Sequence, residues 1–261
     1  MEIYIESRGF SQDDDYRWLK VTEESQSRVD KQDLPTIIQE ATQLIDSESA
    51  SIVLSRKNNT LLFLLTSIEP VDRVDFAHRQ IRISVGWLMP DSLDNEIILR
   101  MLAATALDTE ERQHLTTEIS QAVILGGELG FQVDFEHIQK LTNISASQNL
   151  LQDKLPNPTQ KIAQLSLQRQ QELASELKEY SLPNQHNLIV VVTGIKKEQA
   201  LIDANVWRGL SSLVAYSDWQ IIGQNLPEKN FSSKLSKYFN NLMIIIWIIS
   251  AVSLLAKTLN F

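Results

Sequence analysis

The residues of this chain best suited to chemistry are arginines set among small polar side chains. Arg73, Arg79 and Arg82 lie close together in an acidic stretch. Arg82, Ser84 and Gly86 alternate along a strand-like segment, so they share one of its faces. If that segment pairs with the N-terminal strand, Ser7, Arg8 and Gly9 come alongside. Guanidinium forks beside hydroxyls and a glycine suit a small phosphate or carboxylate ligand. Arg8, Arg79, Arg82 and Ser84 are therefore candidate anion-binding residues. Arg208 joins them from Trp207-Arg208-Gly209, because a guanidinium beside an aromatic ring clamps a planar ligand. The competing reading pairs the first arginines with Glu69, Asp72 and Asp75. It also leaves Trp207 buried on a helix with Arg208 in solvent.

Other chemistry finds little support. The four histidines, at 78, 114, 137 and 186, form no HExxH or His-x-His spacing, and with no cysteine a thiolate metal site is excluded. No metal site, cofactor or catalytic group is expected. Asp13-Asp14-Asp15 lacks the spacing of a calcium loop and reads as a solvated turn. Gly126-Gly127-Glu128-Leu129-Gly130 has no Lys-Ser/Thr to complete a phosphate loop and reads as a helix end. Thr193-Gly194 follows an apolar strand, but one glycine is too few for a dinucleotide fingerprint.

The elements that must position these residues follow from periodicity. Ile3 and Ile5 alternate with Tyr4 and Glu6, and residues 16–22 alternate again, which predicts a β-hairpin with a long connection. Leu34, Ile37, Ile38, Ala41, Leu44 and Ile45 form a helical stripe, with Asp33 as its expected cap. Residues 51–56 and 60–68 predict two strands joined through Asn58-Asn59, and 80–88 a further strand. Asp91 or Ser92 starts the next helix. Residues 61–65 and 188–192 are apolar at every position, which suits central strands covered on both faces.

Residues 109–182 read as almost wholly helical, with helices expected over 110–125, after an Asp134 cap, and over 159–180. A strand within 187–195 and a closing helix over 197–214 complete the pattern. The expected fold is α+β: a mixed sheet with packed helices, a mostly helical middle region and one C-terminal transmembrane helix. The expected domains are 1–108, an α+β domain; 109–182, a helical region or insertion; and 183–221, a strand and helix completing the first domain. A juxtamembrane linker over 222–237 and an anchor over 238–257 follow.

The anchor rests on 19 consecutive uncharged residues, 238–256. Leu242, Ile246, Trp247, Ile249 and Leu254 mark its apolar run, which covers every helix face. About 20 such residues span the hydrocarbon of a bilayer. Lys229, Lys234 and Lys237 precede the run, which predicts a single pass with the N-terminal part in the cytoplasm. Net charge is −9 overall. It divides into −13 for residues 1–228, with 20 basic and 33 acidic side chains, and +4 for the remainder. That acidity argues against a nucleic-acid partner.

These features predict a tail-anchored membrane protein with a cytosolic ligand-sensing or protein-interaction domain. Its layout, though no motif, resembles the sensor-plus-membrane-helix organisation of bacterial signalling and defence effectors. The expected partners are the lipid bilayer, a small anionic ligand, a protein docking on 109–182, and further copies of the chain as a homo-oligomer. The alternatives are a membrane-tethered enzyme acting on a small anionic substrate, or an accessory subunit of a membrane complex.

Overall fold

The computed structural model describes residues 1–45, 49–71, 73–146, 154–184 and 186–222. The chain begins with β1 (Glu2–Ser7), β2 (Arg17–Val21) and β3 (Gln26–Val29). A short 3-10 turn (Lys31–Asp33) leads to α1 (Thr36–Thr42). Next come β4 (Ser51–Lys57), β5 (Thr60–Ile68), β6 (Ile83–Pro90), α2 (Leu93–Leu107) and α3 (Thr109–Ala122). A small hairpin, β7 (Val123–Leu125) and β8 (Phe131–Val133), precedes α4 (Phe135–Ala146). The last elements are β9 (Lys161–Gln164), α5 (Leu167–Glu179), β10 (Leu188–Thr193), α6 (Glu198–Asp203), β11 (Arg208–Ser211) and β12 (Gln220–Ile221).

Ten strands form one mixed sheet in the order β12-β9-β11-β10-β4-β5-β6-β1-β2-β3. Pairing is antiparallel from β10 through β4, β5, β6, β1 and β2 to β3. The β10–β11 and β11–β9 pairs are parallel. The chain is thus α+β with a large mixed sheet.

Helices cover both faces, which explains why central strands carry no polar face. On one side Ile5, Phe63, Trp87 and Val190 pack with Leu99 of α2, Leu115 of α3, Ile138 of α4 and Leu173 of α5. On the other, Tyr4, Trp18, Leu64 and Val191 pack with Ile37, Ile38 and Ala41 of α1 and Leu201 of α6. Gly209 permits the close approach of α6. A Cβ there would stand 3.0 Å from Ile162 Cγ2 and 3.1 Å from Leu201 Cδ1.

Several local expectations hold. Asn58 and Asn59 both take positive φ, at 50° and 59°, in the β4–β5 turn. Ser92 caps α2 by accepting from Asn95 N, and Asp134 Oδ1 accepts from His137 N at the start of α4. The apolar stripe of α1 is buried. Its cap differs: Asp33 sits in the 3-10 turn and Pro35 takes the N-cap position.

Other expectations are corrected. The stretch 109–182 is not wholly helical, since it contributes β7, β8 and β9 as well as three helices. It belongs to the same compact unit as the rest of Met1–Ile222. The helix expected over 159–180 begins at Leu167, where Ser166 caps it by accepting from Arg169 N. Residues upstream of that cap join β11 and β12 as β9, burying Ile162 and Ala163 on opposite faces. The closing helix over 197–214 stops at Asp203, and Asn205 at φ 53° turns the chain. Trp207-Arg208-Gly209 therefore enters strand β11, where pairing to β10 and β9 satisfies the backbone on both sides.

Gly126-Gly127 is not a helix cap. It closes the β7–β8 hairpin, with φ of 124° and 73° there and 84° at Gly130. The linker from residue 223 and the candidate span lie outside the described residues. Among the described residues no helix is long and apolar enough to cross a membrane.

Candidate functional site

One row of side chains crosses four neighbouring strands on the face that α1 covers. Trp18 on β2 stands opposite Glu6 on β1, and Glu6 stands opposite Ser84 on β6. On β5 the register slips between Leu65 and Ile68, so Thr66 and Ser67 together face the Ser84 position. Ser67 takes φ 57° to accommodate the extra residue. Bulges of this kind re-aim side chains beside sites. The adjacent row, Tyr4, Gly86 and Leu64, is apolar and tightly packed, so the sheet changes from core to polar floor within two residues.

Above this row lies a cavity of about 300 Å³ lined by Glu6, Trp18, Lys31, Thr42, Gln43, Ile45, Thr66 and Ser84. The end of α1 forms one wall, and Lys31, from the 3-10 turn, stands at its exposed rim. The volume is at the small end of the range for ligand pockets.

The electrostatics of the floor are unusual for a packed sheet. Burial pushes the Glu6 carboxyl above its ordinary value. The Lys31 charge, the Ser84 hydroxyl and the Trp18 indole pull it back only part of the way. Ser84 Oγ lies 3.4 Å from Glu6 Oε2. Trp18 is 2% exposed, and its buried indole stands beside Glu6, where it favours the charged carboxylate.

The raised carboxyl has a consequence for stability. Below the unfolded value near 4.5, Glu6 is protonated in both states and contributes no difference. As pH rises through the higher folded value, ionisation is penalised only in the folded protein. Glu6→Gln is therefore expected to raise Tm at pH 7, with the gain closing as pH falls toward 4. Paired melting curves at pH 4 and 7 check this. A gain that is larger at pH 4 would sink the assignment.

The arginines are placed otherwise than a single anion site requires. The Arg8 guanidinium lies between the Tyr16 and Phe76 rings, 5.9 Å from each centroid, and Nη1 donates to Asp75 Oδ2 at 2.9 Å. Arg79 Nε donates to the same oxygen at 2.9 Å. Burial works against the Asp75 carboxylate. Donors from the backbone and side chain of Arg79 and from Ala77 nevertheless hold it low, at about 2. Arg82 Nε donates to Glu69 at 3.1 Å, and Arg73 Nη2 reaches the carbonyls of Ser120 and Val123.

The expected pairing of β1 with β6 brings Ser7 to Arg82, where the hydroxyl donates to the Arg82 carbonyl at 3.1 Å. Arg208 lies four strands away across the sheet, about 19 Å by strand spacing. It is fully buried and bidentate on Glu176. Of the five candidate residues, Ser84 alone lines the cavity. Asp72 lies outside the described residues.

Sequence reasoning passed over Glu6, Trp18, Lys31 and Thr66. One signal was available. Glu6 occupies the same strand face as Tyr4, and a charge on an inward face needs an explanation. Among the described residues no cluster of three acidic, histidine or cysteine side chains is arranged to hold a metal ion.

No protein-family model matches this chain, and no curated protein or solved structure is significantly similar to it.

Proposed function

We propose that this chain is a membrane-tethered sensor whose domain binds a small polar molecule in the cavity over Glu6, Trp18 and Ser84. The observation that carries the reading is the Glu6 carboxyl, set among Trp18, Ser84 and Lys31 on the floor of a cavity of about 300 Å³ on the sheet face that α1 covers. An inward-facing carboxyl with no ion pair among the described residues is unusual in a packed sheet. Glu6 has no second carboxylate and no histidine beside it among the described lining residues, which favours binding over acid–base catalysis. The tether rests on the uncharged run 238–256 and the lysines before it. An N-terminal domain on the cytoplasmic side of a single-pass anchor would then report ligand occupancy at the membrane.

One preparation tests both halves. Full-length protein is expected to stay with membranes through a carbonate wash and to be released by detergent. Titrating the released protein with a fractionated extract of small polar metabolites is expected to raise its stability. A ligand at 100 times its Kd adds about 2.7 kcal/mol. Ser84→Leu, which fills the floor, is expected to abolish the gain while leaving the fold intact. Release by carbonate would remove the anchor. An extract without effect would remove the sensor.

A further inference from the structure

The cavity carries two opposite charges that do not neutralise each other. Glu6 stands on the floor, held from the β1 strand between Trp18 and Ser84. Lys31 stands at the rim, close enough for its charge to act on Glu6, yet it forms no ion pair with any described residue. Basic groups near this end of the sheet are engaged: Arg17 with Asp14 and Arg82 with Glu69. The space between the two charges is about 300 Å³, and Trp18, Ser84, Thr66 and Gln43 line it as well.

A molecule complementary to this arrangement carries a cation for Glu6 and an anion for Lys31. A simple anion fits the rim but meets the Glu6 carboxylate below. A simple cation fits the floor but leaves Lys31 unanswered. A neutral polyol answers neither charge. We propose that the cavity takes a compact zwitterion of the amino-acid class. Its ammonium sits on Glu6, and its carboxylate faces Lys31. Ile45 and Thr42 at the end of α1 line the space left for its side chain. This assignment rests on the ligand-sensing reading and adds the substrate class to it.

The Trp18 indole proton is a direct reporter. The full-length chain, labelled with ¹⁵N-tryptophan in detergent, has five indole resonances. Trp18→Phe assigns the one that matters. The probes are L-glutamine and L-methionine, with n-butylamine as cation alone, butyrate as anion alone and glucose as neutral polyol.

The amino acids are expected to shift the Trp18 resonance saturably and to leave the other four in place. Glu6→Gln is expected to weaken them about tenfold or more, the cost of losing one charge-assisted contact. Lys31→Met is expected to weaken them by about threefold to tenfold, because its charge is exposed to solvent. The Trp87, Trp207 and Trp219 resonances report that each variant remains folded. Butylamine, butyrate or glucose binding as tightly as the amino acids overturns the zwitterion class. So does an amino-acid panel that leaves Trp18 unmoved while the metabolite extract still moves it, and in that case the sensor reading stands. A Trp18 resonance unmoved by the extract as well overturns both.

Discussion

Glu96→Ala is expected to cost about 3–5 kcal/mol, because it removes a carboxylate shared by two buried arginines and a buried amide. Glu96 on α2 receives Arg56 Nη2 from β4 on one oxygen. On the other it accepts from Leu182 N at 2.7 Å and faces Arg100 Nη1 at 3.8 Å. The Arg100 side chain is fully buried and also donates to the Tyr180 carbonyl. Arg56 reaches Asp91 Oδ2 at 2.9 Å, Asn184 Oδ1 at 2.6 Å and the Leu182 carbonyl at 3.2 Å. The network thus ties α2 and β4 to the segment between α5 and β10.

Removing the carboxylate takes one partner from each arginine and frees the Leu182 amide in a buried place. For a domain of this size the loss corresponds to roughly 6–20 °C in Tm. Total stability is about 5–15 kcal/mol for typical domains, so the variant approaches unfolding. Glu96→Gln keeps the acceptor for Leu182 N and is expected to cost less. Urea denaturation of the three proteins measures the difference. A loss under about 1 kcal/mol for the alanine variant would show the network to be replaceable.

Arg208→Ala is the second large effect, expected at about 3 kcal/mol or more. The side chain is 0% exposed and lies on β11 in the parallel part of the sheet. Nε donates to Glu176 Oε2 at 2.7 Å, and Nη1 donates to the Thr159 carbonyl at 2.6 Å and the Trp207 carbonyl at 3.1 Å. The guanidinium carbon stands 3.9 Å from the centroid of the Trp207 ring. Truncation removes a fork from α5, opens a cavity and orphans the Thr159 carbonyl. Arg208→Lys supplies charge but not the planar bidentate geometry, so it is expected to recover only part of the loss. Chemical denaturation again gives the result. Stability equal to wild type in Arg208→Lys would reduce the fork to a point charge.

The fold was legible where a single element carried its own signal. The double-faced apolar runs 61–65 and 188–192 announced β5 and β10 because a strand covered on both faces has no polar side to show. The Asn58-Asn59 turn, the Ser92 cap and the α1 stripe are set by local φ, local hydrogen bonding and helical period. The hidden elements were those whose stability comes from partners. β9 has four residues and β11 four, too few for periodicity to register. Their neighbours in the sequence favoured helix, and only the parallel ladder between β10, β11 and β9 outweighs that preference.

The site followed the same division. Arginine chemistry was visible, and so was the pairing of Arg79 and Arg82 with the nearby Asp75 and Glu69. The Glu176 carboxylate that holds Arg208 arrives from a distant segment. By itself the sequence determined the fold class, the central strands, the charge division between body and tail, and the uncharged run at 238–256. These depend on composition and on periods shorter than one element. The tertiary structure alone decided that Glu6, Trp18, Ser84 and Thr66 form one row and that Arg208 is buried on Glu176. Both depend on where strands and helices far apart in the chain come together as they bury their apolar faces.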